Sequence, residues 1–185
     1  MKKALFNTVF LLTGLLFISS SFAQDKERTE PKFKKNKAYS KSYSLSSSDK
    51  ISLNNQFGEM KLITWEKNEI KVDISITGKS DEEKRAQEIL DKITIEDDKS
   101  GNTVSFKTKF ADDNWNNHDE KGKRTDKDWN GHQNEGMEIN YVVYLPSGNA
   151  LNASNQFGKM IIPDYKGLAE IECKFGSLTA GRISN

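Results

Sequence analysis

The chain has 185 residues, with 28 Lys and Arg against 27 Asp and Glu, two His and one Cys. That length accommodates one domain with short additions, and the lone Cys excludes a disulfide framework. The near-neutral balance excludes a strongly basic body built for nucleic acid.

The first 23 residues carry a basic start at Lys2 and Lys3, then a mostly apolar run from Ala4 to Ile18. Ser21-Phe22-Ala23 places small residues at the −3 and −1 positions of a cleavage site, the pattern of a secretory signal peptide. Cleavage there would start the mature chain at Gln24, with no Cys next to it to carry a lipid and no second apolar stretch long enough to span a membrane. The expected location is therefore outside the cytoplasm, in the periplasm or at the cell surface. Residues 24–38 read as a flexible basic leader, with the Lys32 to Lys37 cluster solvated.

From Tyr39 the pattern turns to strands. Tyr43 and Leu45, then Ile51 and Leu53, mark short ones. Ile70, Val72, Ile74 and Ile76 alternate with Lys71, Asp73, Ser75 and Thr77, the period of a half-buried strand. A helix follows, with Ser80 as its expected cap and Glu83 completing a capping box. Ala86, Ile89, Leu90 and Ile93 form its apolar side, and Glu82, Lys84, Arg85 and Glu88 face water. Strands resume at Thr94–Glu96, turn through residues 98–102, and continue with Val104, Phe106 and Thr108 on one face.

Residues 111–136 form a long polar loop, 26 positions with seven acidic, four basic and five Asn. A loop of that length is functional or disordered. Asp126, Asp128 and Asn130, with Gly131 at the sixth position, match the first half of a calcium loop. The closing twelfth position is Met137, with Glu138 one residue late, so an ordinary solvated loop stands beside the calcium reading. Trp115 and Trp129 in the same loop can stack on a sugar, anchor a partner, or fold back onto the strands. Met137 to Pro146 returns to strand.

The most specific feature is an internal echo. Asn55-Gln56-Phe57-Gly58-Glu59-Met60 recurs as Asn155-Gln156-Phe157-Gly158-Lys159-Met160, and again, more weakly, as Lys174-Phe175-Gly176-Ser177-Leu178. In each copy the Phe fills an interior position, the Gly permits a bend, and the apolar residue two positions later re-enters the core. The 18-residue step from Phe157 to Phe175 predicts a mainly β fold with solenoid-like stacking of short strands. The alternative is a β-sandwich whose strand ends favour Phe-Gly. Cys173 alternates in phase with Ile171 and Phe175 and is expected to be a buried structural thiol.

These units, together with residues 61–65 (Lys-Leu-Ile-Thr-Trp) and the Ile70-to-Ile76 strand, resemble the bacterial family called "putative adhesin", a domain of unknown function built from short repeated β-strands. The resemblance spans most of residues 39–185, which are expected to form a single domain. It implies a repetitive β fold and a non-catalytic binding role, with no catalytic residues to carry over. The Ser-Phe-Ala-Gln cleavage region and the Lys- and Asn-rich composition look like a protein of the Bacteroidetes type.

No Gly-x-Ser-x-Gly elbow, phosphate loop, dinucleotide fingerprint or His-Glu-x-x-His occurs. His118 and His132 lie in the polar loop without a Ser or Cys partner nearby. The chain is thus expected to be a non-enzymatic, cofactor-free binding protein of the envelope or cell surface, with a surface glycan or an envelope protein as partner. The alternative function is a periplasmic scaffold or sensory module that meets another envelope protein through an exposed β edge.

Overall fold

A computed structural model describes residues 30–111 and 134–184. Among these residues are nine strands and one helix: β1 (Phe33–Ser44), β2 (Lys50–Phe57), β3 (Met60–Thr64), β4 (Glu69–Ser80), α1 (Glu83–Asp91), β5 (Ile93–Ser100), β6 (Thr103–Phe110), β7 (Gly136–Leu145), β8 (Ala150–Ile162) and β9 (Ala169–Ala180). They form one sheet in the order β1-β4-β7-β3-β8-β2-β6-β5, with β9 paired to β8.

The fold is mainly β, as expected, but it is not a solenoid. Its sheet curls into a nearly closed barrel. Solenoid stacking needs parallel neighbours throughout, whereas β1–β4, β4–β7 and β5–β6 are antiparallel. The 18-residue step relates only β8 to β9, where Leu151 pairs with Ala169 and Phe157 with Phe175. The first copy lies 100 positions before the second and joins it in register through the tertiary fold, Ile51 to Leu151 and Phe57 to Phe157. The echo therefore sets the register of three parallel strands inside a mixed sheet.

The barrel closes where its outermost strands meet. The hydroxyls of Tyr39 and Tyr43 on β1 donate to the two carboxylate oxygens of Asp97 on β5, and Lys99 Nζ donates to Ser44 O at 2.7 Å. The interior is packed with aliphatic side chains at positions of period two, among them Ile51, Leu53, Leu62, Val72, Ile76, Val104, Ile139 and Val143.

The expected basic leader ends sooner than its charge implied. Phe33–Ser44 is strand, paired along its whole length with β4. Its lysines occupy an outer edge of the sheet, where charge discourages pairing with other chains, and Lys35 forms an ion pair with Glu83 of α1.

The expected helix exists, and it packs through Ala86, Ile89 and Leu90. Its start differs from the capping-box pattern. Ser80 ends β4, and its Oγ accepts from the Glu82 N–H at 3.2 Å, while the N-cap position belongs to Glu82. Ile93 leaves the helix face to begin β5. The close seat of the helix requires Gly78, where a Cβ would lie 2.4 Å from Ala86 O.

A second close approach runs through the echo. Gly58 and Gly158 have φ of +107° and +130°, and a Cβ at Gly158 would stand 2.1 Å from Gly58 O. The core-facing phase changes at this point, from Leu151, Ala153 and Asn155 to Met160 and Ile162, so each copy turns a corner there.

Replacing Gly158 by Ala should therefore lower unfolding free energy by about 2–4 kcal/mol, since it combines backbone strain with a backbone clash. The same change at Gly148, where a Cβ meets open space, should stay within about 0.5 kcal/mol. Urea unfolding of the two variants checks this. Stability should also have two pH limits. Burial acts to raise the Asp97 carboxyl, but the Tyr39 and Tyr43 hydrogen bonds outweigh it and hold its pKa below the ordinary 3.8. A depressed carboxyl stabilises the fold above its unfolded value, and that contribution is lost as pH falls through the folded one. At the alkaline side, the bond to Asp97 pushes Tyr43 up to about 12, and burial pushes Tyr141 and Tyr165 to about 12. Unfolded tyrosines ionise near 10, so stability should fall as pH rises from about 10 to about 12. Urea midpoints measured across pH should show both limbs, and Asp97→Asn should flatten the acidic one.

Candidate functional site: the open edge of β9

Three phenylalanines, one from each copy of the echo, stack into a column. Phe57 and Phe157 lie 5.2 Å apart with planes 9° from parallel, and Phe157 and Phe175 lie 5.0 Å apart at 13°. Phe110 closes one end, edge-on to Phe57 at 5.8 Å. The other end is open, with Phe175 64% exposed.

The same contrast repeats along β9. Met60, Met160 and Leu178 are in register; the two methionines are fully buried, and Leu178 is 49% exposed. Tyr165, which bridges to Ile183, is 1% exposed and Ile183 is 43%. Side chains that would lie in the interior one strand earlier are thus presented to solvent. Ala169, Ile171 and Cys173 still touch the core from one side. The expected burial of Cys173 is accordingly only half met: its face is right, but no described strand covers it.

A polar column runs beside the aromatic one. Asn55 Nδ2 donates to Ile139 O at 2.9 Å and Phe57 O at 3.3 Å. Asn155 Nδ2 donates to Gly58 O at 2.9 Å and Lys159 O at 3.3 Å. In the third copy the Cys173 thiol reaches Gly158 O at 3.7 Å. These side chains hold the backbone at each corner. Asn55 is fully paired, because Tyr141 OH donates to Thr108 Oγ1 and Thr108 in turn donates to Asn55 Oδ1 at 3.0 Å. Asn155 Oδ1 is buried without a partner among the described residues.

The opposite face of β9 is charged and anchored to β8. Asn152 Nδ2 donates to Glu170 at 2.8 Å and Ser154 Oγ to Glu172 at 2.9 Å. The Ser154 bond, with Lys174 3.3 Å away, holds the Glu172 carboxyl below its usual range. This arrangement fixes β9 as a rigid strand, apolar on one face and polar on the other, with one backbone edge open in the described sheet. It offers what strand addition uses, unpaired main-chain groups beside exposed side-chain positions.

The residues singled out from sequence fall elsewhere. Trp115, Trp129, Asp126, Asp128, Asn130, His118 and His132 lie outside the described residues. Among the described residues no group of three His, Cys, Asp or Glu could hold a metal, and no helix is long and apolar enough to cross a membrane. Trp65 packs on Tyr144 at 5.4 Å and donates from Nε1 to Glu69 O at 2.7 Å, in keeping with its expected packing role. Sequence reading placed the three Phe in the interior, and it did not identify the Phe175 end as an exposed aromatic site.

No family model matches the chain, and no curated protein matches it. Three solved structures show distant similarity. One is a "putative cell adhesion protein" from Clostridium sporogenes, 9% identical with a TM-score of 0.32, covering 82% of this chain and all of that one. Another is a "putative lipid binding protein" from Parabacteroides distasonis, 10% identical with a TM-score of 0.36, covering 85% of this chain and 62% of that one. The third is a "putative adhesin" from Bacteroides fragilis, 15% identical with a TM-score of 0.25, covering 80% of this chain and 60% of that one.

The two asparagines give a test of the polar column. Removing a fully satisfied buried amide strands its partners, whereas removing one with an orphaned oxygen also relieves a penalty. Asn55→Ala should thus cost about 2–3 kcal/mol and Asn155→Ala about 1 kcal/mol. Equal losses in urea unfolding would show that the Thr108 and Tyr141 hydroxyls add nothing to the Asn55 site.

Proposed function

We propose that this chain is a non-catalytic binding protein of the cell envelope or cell surface, and that it engages another protein by strand addition at the open edge of β9. One observation carries the reading. Leu178 and Ile183 are 49% and 43% exposed at positions whose in-register counterparts, Met160 and Tyr165, are buried. Soluble proteins blunt sheet edges with charge or cover them. Here β1 is lysine-rich, β5 carries Glu96, Asp97 and Asp98, and the two meet at the barrel seam. The edge of β9 has neither device at its Phe-Gly corner, and its apolar residues face outward together. The export reading of residues 1–23 supplies the envelope or surface location, where a partner strand would be met.

Binding of the purified chain to envelope fractions of the source organism tests this. Phe175→Lys with Leu178→Lys should lower the bound amount by about ten-fold or more, as expected when central apolar anchors are lost. The thermal midpoint should stay near that of the unsubstituted chain, because both side chains are already exposed. Trp115→Ala with Trp129→Ala should leave binding unchanged. The reverse pattern would overturn the edge reading in favour of glycan binding by the polar loop. Trypsin applied to intact cells separates the two locations: cuts at Lys121, Lys123, Arg124 or Lys127 place the chain at the surface, and protection until the outer membrane is opened places it in the periplasm.

A further inference from the structure

The open edge does more than expose a strand; it presents a template with defined positions. Three strands already stack on one another by one rule. Phe lies on Phe at 5.0–5.2 Å, Gly lies on Gly, and an aliphatic residue follows two positions after the Gly. The backbones at the corner come so close that a Cβ on Gly176 would stand 1.7 Å from Gly158 O, and one on Gly158 would stand 2.1 Å from Gly58 O. Eight positions beyond each of the last two Phe residues, Tyr165 and Ile183 pair as well.

We propose that the edge of β9 accepts, in parallel register, a strand from another polypeptide that carries this same unit. This rests on the edge reading above and specifies its partner. That strand has Phe opposite Phe175, Gly opposite Gly176, and an aliphatic residue opposite Leu178. Glycine is required because repetition of the corner geometry leaves no room for a Cβ against Gly176 O. Phe is required because the column ends in a ring face with 64% of its residue exposed. On the polar side, Glu170 and Glu172 accept from Asn152 and Ser154 of β8, and their outer flanks favour hydrogen-bond donors at the matching positions of the incoming strand. A second copy of this chain fits less well. Its first two units are already flanked within its own sheet, so only β9 would be on offer, and pairing one β9 edge with the same edge of another on a common face is antiparallel, which places Phe opposite Phe and Gly opposite Gly on no shared line.

The test uses a labelled eleven-residue peptide with the sequence of residues 151–161 (Leu-Asn-Ala-Ser-Asn-Gln-Phe-Gly-Lys-Met-Ile), titrated with the purified chain and followed by fluorescence anisotropy. Two controls are the same peptide carrying Gly158→Val and a peptide copying residues 70–77, which alternates without Phe-Gly. The unit peptide should bind about ten-fold or more tightly than either control. A nitroxide at its N-terminus should broaden the amide signals of residues 169–172 and spare those of 178–180, the mark of parallel register. Equal binding by all three peptides would overturn recognition of the unit while leaving strand addition in place. No binding by any, with a monomeric chain in sedimentation, would overturn both. No binding with a concentration-dependent dimer would assign the edge to a second copy and overturn the present proposal.

Discussion

Where β2 passes into β3, and again within β8 and β9, the chain turns a corner against its neighbour with no side chain between the backbones. A Cβ at Gly158 or Gly176 would fall inside the contact distance of the carbonyl one strand back. This approach fixes several things together. It sets the parallel register of three strands, and it brings three Phe rings into stacking distance. It also changes the inward-facing phase, so that Met60 and Met160 reach the core after the corner. Asn55 and Asn155 then hold the carbonyls of that corner from the interior, replacing ladder bonds that the bend displaces.

The rest of the barrel is arranged around that stack. The antiparallel strands β4 and β1 extend one flank beyond β7, and β5 extends the other beyond β6, until Tyr39 and Tyr43 meet Asp97. Two outer edges are thereby joined and cease to be sites for foreign strands. On the far side of the stack, β9 has the same apolar pattern as β8 and no described neighbour beyond it. The polar contacts from Asn152 and Ser154 keep that edge ordered instead of frayed, and order is what lets an exposed strand act as a selective surface.

Much of the secondary structure could be read from local pattern. The alternation over Ile70–Ile76 and Met137–Leu145 gave the strands because burial on one face imposes period two, and Ala86, Ile89 and Leu90 gave the packing side of the helix. Misreadings came where tertiary pairing overrode composition. The Lys-rich segment from Phe33 was taken for a leader because it lacks aliphatic residues, yet pairing with β4 needs only its backbone and the inward turn of Tyr39 and Tyr43. Ser80 looked like a helix cap because the Ser-x-x-Glu spacing is local, while the strand pairing of β4 with β1 reaches that residue first. The 18-residue step looked like a solenoid because sequence spacing reports neighbours only when the chain returns at once. The copies at Phe57 and Phe157 are neighbours despite a hundred intervening positions.

By itself the sequence determined the alternating strands, the Phe-Gly corners and the residues that must point inward, since these follow from steric and hydrophobic rules acting over a few positions. Only the tertiary structure decided that the sheet closes as a barrel, and that the three corners stack. It alone showed that the third Phe is left uncovered. Those outcomes depend on which distant strands pair and where the last pairing stops, and exposure at Phe175 and Leu178 is a property of the missing neighbour, not of the residues themselves.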